Sequence, residues 1–237
     1  MDRPDPRANL VFLADNLKSR GRLGLRLVAG GPADLERLLA FFNPAPDFSR
    51  LEDLSRNMRQ CKKCPLHEGR RKVVVGQGPS PARAMFIGEA PGEKEDEKGL
   101  PFVGPAGMLL SRMLAAVGLK REQVYITNIV KCRPPHNRDP LPEEAAACRP
   151  FLEAQVRAVQ PKVICALGRP AAQSLLDTKA PISALRGNWQ TFGQVRLLPT
   201  FHPAFLLRQP ERKAEAYRDL KALAHELGLG PAQEAGK

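Results

Sequence analysis

The chain has 237 residues, enough to bury a full core, and by length it reads as one domain of about 180 residues plus an appendage. A formal net charge of +12 and a sequence pI near 9.9 favour a polyanionic partner, nucleic acid first, over a small metabolic substrate. No apolar run approaches the ~20 residues of a membrane span, and Met1-Asp2-Arg3-Pro4-Asp5 does not resemble a secretory signal, so a cytoplasmic protein without membrane contact is expected.

Leu10, Leu13 and Leu17 fall at helical spacing, and a basic run follows at Lys18, Arg20, Arg22 and Arg26. Gly30-Gly31-Pro32 breaks the chain, residues 33–42 read as a second short helix, and Asn43-Pro44-Ala45-Pro46-Asp47 reads as a linker. The expected division is an N-terminal extension with linker, residues 1–47, and one main domain, residues 48–237. Leu51 to Gln60 reads as a helix delivering Cys61-Lys62-Lys63-Cys64-Pro65, whose two-residue spacer lets both sulfurs face one metal centre. Val73-Val74-Val75-Gly76-Gln77-Gly78 reads as a short strand or an extended approach to the main sheet.

Residues 84–87, Ala-Met-Phe-Ile, are a short apolar run that predicts a buried strand, and residues 106–117 show helical spacing. Between them lies a polar loop, Gly88 to Gly107, rich in carboxylates, glycine and proline. In open α/β sheets ligands bind outside the carboxyl ends of the strands, where this loop sits. Its glycines let backbone approach a flat or anionic ligand.

Residues 124–130 are β-branched and predict a second buried strand, ending in Lys131-Cys132-Arg133-Pro134-Pro135-His136-Asn137-Arg138. Pro140-Leu141-Pro142-Glu143-Glu144 opens a helix with proline and acids in its first turn, and Cys148 lies on that helix. Residues 163–168 predict a third strand with a short helix after Arg169. Residues 195–199 predict a fourth, which delivers Thr200-Phe201-His202-Pro203-Ala204-Phe205-Leu206-Leu207-Arg208. A helix from about residue 211 to 227 closes the domain. Strands alternating with helices imply a three-layer α/β fold, with a central, mostly parallel four-stranded sheet flanked by helices.

Disulfides are disfavoured in a reducing cytosol, so closely spaced cysteines there more often bind metal. Cys61, Cys64, Cys132 and Cys148 sit in loops or near helix ends, whereas Cys165 lies inside an apolar strand and reads as core. The spacing of the four leaves both zinc and an iron-sulfur cluster open. Glu89, Asn128 and His202 fall at the ends of three strands, which a parallel order brings to one edge of the sheet. With Phe102 they make a pocket suited to a planar base, because Asn presents an acceptor and a donor together.

Gly88-Glu89-Ala90-Pro91-Gly92 with Glu95-Asp96, then Gly99-Leu100-Pro101-Phe102-Val103-Gly104, then Thr127-Asn128-Ile129-Val130-Lys131-Cys132-Arg133-Pro134-Pro135, then Phe201-His202-Pro203-Ala204, resemble the fourth family of uracil-DNA glycosylases. The resemblance covers about residues 51–227. It implies a [4Fe-4S] cluster held by Cys61, Cys64, Cys132 and Cys148, a uracil-DNA glycosylase fold, and action in base excision repair on single- or double-stranded DNA containing uracil. A monomer is expected, and no protein partner can be named. The flipped base would stack on Phe102, Asn128 would read its edge, and His202 would stabilise the departing uracil anion. Leu206 and Leu207 match the family's intercalating loop. The best-known glycosylases carry a water-directing Asp where Ala90 stands, and a thymine-excluding Tyr where Gly92 stands. Glu95 is therefore expected to position the water, with Glu89 orienting the loop. Two other readings remain: a capture protein joined covalently to DNA through His136, and a non-catalytic cluster-bearing DNA-binding module.

Overall fold

The computed structural model describes residues 51–229. The expected extension at residues 1–47, with its basic run and linker, lies outside the described residues. The first described helix, α1, Leu51–Arg59, turns its buried Leu54 and Met58 inward and presents Glu52 and Asp53 at its start and Arg56 and Arg59 at its end, each complementing the helix dipole. A one-turn helix, α2, Leu66–Gly69, follows the first cysteine pair.

The sheet has five strands: β1, Ala84–Gly88; β2, Val124–Asn128; β3, Val163–Leu167; β4, Gln190–Phe192; and β5, Val195–Thr200. Their order is β2-β1-β3-β5-β4. The four strands expected from the sequence are all parallel, and β4 adds an antiparallel edge beside β5. Strands β1, β2 and β3 are buried along their whole length, which is why each reads as a continuous apolar run rather than an alternating one.

Side chains still alternate across the pleat, and this divides the interior into two layers. Met85 and Ile87 join Tyr125, Ile164, Ala166 and Leu197 in one core. Helix α5, Pro142–Val159, covers that face with Leu152, Val156 and Val159, α6, Arg169–Leu176, with Ala171, Ala172 and Leu175, and the one-turn α7, Ile182–Leu185, packs against it with Ile182 and Leu185. Ala84 and Phe86 join Val124, Ile126, Cys165 and Leu198 in the other. There the cover is Leu110 and Leu114 of α4, Pro105–Ala115, with Leu220 and Leu223 of α9, Lys213–Glu226. Cys165 is fully buried in this second layer, and burial pushes its thiol far above the usual range.

The structure differs from the sequence expectation in several local features. The loop from Gly88 to Gly107 contains a helix, α3, Glu93–Lys98, closed by Gly99 in the left-handed region at φ 74°. Its six residues are all charged, so no apolar period announces it; it is held instead by the buried Asp96, whose carboxylate accepts from the backbone N–H groups of Arg71 and Lys72. Residues 73–78 form no strand of the sheet. They run extended beside β2 through one antiparallel bridge, Gln77 to Ile126, and through a buried network in which Thr127 Oγ1 and Gln155 Nε2 both donate to the Val75 carbonyl. The second strand stops at Asn128, and beyond it the Ile129 and Val130 N–H groups bond to the carbonyls of Gly88 and Glu89.

Candidate active site and cysteine pocket

Parallel pairing puts Gly88 opposite Asn128 at the carboxyl ends of β1 and β2. Asn128 is 1 % exposed, and its Oδ1 is the one buried side-chain polar atom among the described residues without a hydrogen-bond partner. An orphaned buried acceptor costs about 1–3 kcal/mol, and a ligand donor would relieve it. Gly88 is glycine for a steric reason: a Cβ there would collide with Asn128 Oδ1 and with the Phe102 ring.

Phe102 is buried and held at a positive φ of 51°, an unusual conformation for an aromatic residue. Its carbonyl lies where a Cβ on Gly107 would fall, so the first turn of α4 fits against this loop only with glycine there. The Phe102 ring touches the Gly88 position on one side and packs against His202 on the other, with centroids 5.6 Å apart.

His202 caps α8, Pro203–Arg208, where its Nδ1 accepts from the Ala204 N–H at 3.1 Å. The acceptor role leaves the ring proton on Nε2. Burial, with the Arg208 charge adding to it, pushes the imidazole down to about 4, so it is neutral at physiological pH. Behind it, Thr200 donates to Asp219 at 2.6 Å, and Asp219 is paired to Arg186 at 2.6 Å. This anchors the end of β5. Gly168, at the end of β3, lies directly under the His202 side chain, where a Cβ would come within 2.8 Å of it.

The two candidate carboxylates occupy different settings. Glu95 Oε1 accepts from the N–H groups of Val103 and Gly104, each at 2.8 Å, so it pins the turn that carries Phe102 and caps the start of α4. Its Oε2 lies against Gly92, 2.8 Å from where a Cβ would be. Glu89 is partly buried at the end of β1; burial first, then the charge and hydrogen bond of Asp139, push its carboxyl up to about 7, while Arg169 acts in the opposite sense. Glu95, expected to position the water, thus holds the loop, the part expected of Glu89. Ala90 packs against the first core, and Gly92 caps α3 with its backbone.

Leu206 requires a correction. It is fully buried against Leu109, Phe201 and Ala216, so it cannot serve as a wedge. Leu207, on the other face of α8, is 40 % exposed. His136 is exposed in the left-handed region at φ 54°, beside Asn137 at φ 55°.

Cys61, Cys64, Cys132 and Cys148 line one pocket, together with Met58, Val73, Phe151, His67, Arg70 and Lys131. Arg70 donates to Cys132 Sγ at 3.2 Å. Burial pushes up the thiols of Cys64 and Cys132, and that of Cys148 to about 11. Among the described residues, no three His, Cys, Asp or Glu side chains are gathered as ligands of a single metal ion. Lys131, buried beside Cys132 and Cys148, donates to Thr127 Oγ1 at 2.7 Å and to the Asn128 carbonyl at 2.6 Å. A separate groove of about 1220 Å³ between α5, α6 and the β4–β5 edge shares no residue with either site.

Sequence reasoning missed Lys131, Asp139 and Arg169. Arg169 follows directly on the third parallel strand, where the rule that ligands bind at carboxyl ends would have drawn attention to it. Lys131 is a cation directly after the apolar run 124–130, a pattern that signals a buried, hydrogen-bonded ammonium once the run is known to be interior.

The sequence model of the Uracil DNA glycosylase superfamily matches residues 75–221. A protein of Thermotoga maritima named type-4 uracil-DNA glycosylase is 51 % identical over 162 residues, covering 67 % of this chain and 83 % of that one. A protein of the same name from Archaeoglobus fulgidus is 45 % identical over 186 residues, covering 75 % of this chain and 94 % of its own. A type-5 uracil-DNA glycosylase of Thermus thermophilus is more distant, at 31 % over 157 residues, which span 53 % of this chain.

Proposed function

Because the chain belongs to the uracil-DNA glycosylase superfamily and stands with its type-4 members, we propose that it flips uracil out of DNA and hydrolyses the N-glycosidic bond. The products are free uracil and an abasic site, the first step of base excision repair. The observation that carries the reading is the partnerless, buried Oδ1 of Asn128 beside Phe102 and His202.

Uracil inside a duplex is unreachable, so the nucleotide must leave the stack, and Leu207 is the exposed apolar side chain placed to fill the gap. The extruded base stacks on Phe102. Its N3–H supplies the donor that Asn128 Oδ1 lacks, and its O4 accepts from the same amide; cytosine presents the reverse pattern. Glu95 Oε2 fills the space at Gly92, adding bulk where thymine's methyl group must be refused.

Bond cleavage leaves positive charge on the sugar and negative charge on uracil. The neutral His202 donates from Nε2 to O2 of the base, stabilising charge that develops fully only in the transition state. As the C1′–N1 electron pair departs with uracil, water adds its oxygen to C1′ and loses a proton to Glu89. A carboxylate titrating near neutrality suits that task.

The cysteine pocket fits a [4Fe-4S] cluster by its chemistry: four thiols around one space, a guanidinium donating to one sulfur, and an ammonium beside two. When bound, such a cluster supplies a four-point crosslink. Cys61 and Cys64, from the segment between α1 and α2, would hold it together with Cys132, from the loop after β2, and Cys148 of α5. Every residue invoked comes from one copy of the chain, so a monomer suffices.

The test is base identity. Asn128→Asp should lose uracil release and gain weak cytosine release, because a carboxylate accepts from the N4 amino group. Unchanged uracil release by this variant would remove Asn128 from the reading.

A further inference from the structure

The base assigned to Glu89 must hold a proton at the right moment, and two side chains outside the family-like motifs bear on this. Asp139 lies at the end of the loop after β2. Its carboxyl lies beside that of Glu89, and its Oδ2 accepts from Arg169 Nη2 at 2.7 Å. Arg169 opens α6 directly after β3, so the pair joins two elements across the sheet edge. Asp139 is fixed from behind as well: Arg138 donates to its carbonyl at 3.0 Å, and Arg138 is itself locked to the buried Glu144 by bonds of 2.8 and 2.7 Å.

As an exposed surface ion pair, Asp139–Arg169 stabilises the fold little. Its position is what matters. Asp139 and Arg169 are charged groups that act on Glu89 in opposite senses. We infer that Asp139 and Arg169 are positioning residues of the reaction: Asp139 accepts the hydrogen bond of the proton that Glu89 has taken from water, and Arg169 holds Asp139 ready to do so. In the step itself the C1′–N1 bond breaks with its electron pair on uracil, a C1′–O bond forms, and the water proton rests on Glu89, shared with Asp139, until solvent removes it. The negative charge of Asp139 makes Glu89 a stronger base, and the positive charge of Arg169 keeps it from being fully protonated at neutral pH. This rests on the reading of Glu89 as the base.

The experiment is single-turnover release of uracil from single-stranded DNA by the full chain, measured against pH. The wild type should lose rate as acid protonates Glu89. Asp139→Asn should move that acid limb down by about one pH unit, and Arg169→Gln should move it up by about one, since a neighbouring charge shifts a carboxyl by that order. Arg169→Lys, which keeps the charge, should restore the limb towards wild type. A merely structural role would lower the rate at every pH and leave the limb in place, and that result would overturn the inference. Glu89→Gln separates the two levels: if it keeps the wild-type rate and limb, the base assignment fails. If it abolishes the limb while neither partner variant moves it, only the roles of Asp139 and Arg169 fail.

Discussion

The ammonium of Lys131 donates to the backbone carbonyl of Asn128 at 2.6 Å, so a side chain that lines the cysteine pocket also supports the residue proposed to read the base. The same ammonium donates to Thr127, whose hydroxyl reaches Val75. Lys131→Met removes both bonds from a fully buried place. The expected outcome is a loss of about tenfold or more in kcat/KM for uracil DNA, the scale of one charged hydrogen bond. Kinetics on folded protein check this; wild-type kcat/KM would show that Asn128 stands without Lys131.

His202→Ala should lower the chemical rate by roughly 10²- to 10³-fold with little change in affinity for uracil DNA, because the lost donor acts mainly on the transition state. The pH sign follows from its low value. The folded pKa is depressed to about 4 from an ordinary 6.5, so His202 contributes native stability that is present above about 6.5 and lost as pH falls through about 4. A rate loss beginning near pH 7 therefore belongs to Glu89, whose carboxyl is held at about 7. Lost binding with an intact chemical step in His202→Ala would contradict the assigned role.

The two leucines of α8 should separate cleanly. Leu206→Ala is expected to cost about 2–5 kcal/mol of stability as a core cavity. Leu207→Ala should leave thermal stability nearly unchanged and slow uracil release from duplex DNA more than from single strands, where no stack needs to be opened. Equal slowing on both substrates would remove Leu207 as the wedge.

Much of the fold was legible because the interior strands are buried on both faces, so 84–87, 124–130 and 163–168 stand out as apolar runs. Strand β4 was not: Gln190, Thr191 and Phe192 are three largely exposed edge residues with no such run. Helix α3 was also hidden, since it is anchored by Glu95 and Asp96 reaching outside the helix rather than by an apolar face. At the site, the strand-end residues Glu89, Asn128 and His202 could be singled out from the sequence. Which of two adjacent leucines turns inward could not, because Leu109, Phe201 and Ala216 decide it from distant positions. The partnership of Asp139 with Arg169 likewise depends on a contact across 30 residues.

For the cysteine pocket, protein carrying a four-thiolate cluster should be brown and contain about four irons per chain. Cys132→Ser should lose iron, whereas Cys165→Ala should keep it and show only the penalty of a small core cavity. Stoichiometric zinc without iron, or equal iron loss in both variants, would mean that the cysteines have been divided wrongly.

Glu89 and Glu95 should respond differently to the same isosteric change. Glu89→Gln removes the base and should lower the single-turnover rate by roughly 10²-fold or more. Glu95→Gln keeps an oxygen for the Val103 and Gly104 N–H groups and should cost much less. The reverse ranking would return water positioning to Glu95.

The most direct measurement is incubation of the full chain with a molar excess of uracil-containing DNA, scoring free uracil, covalent adduct and retained complex together. Free uracil in excess over enzyme is expected, with an abasic site left in the DNA. A stable adduct lost in His136→Ala would make the protein a capture device instead. Retention of intact DNA with neither uracil release nor adduct would contradict the glycosylase reading of Asn128, His202 and Glu89.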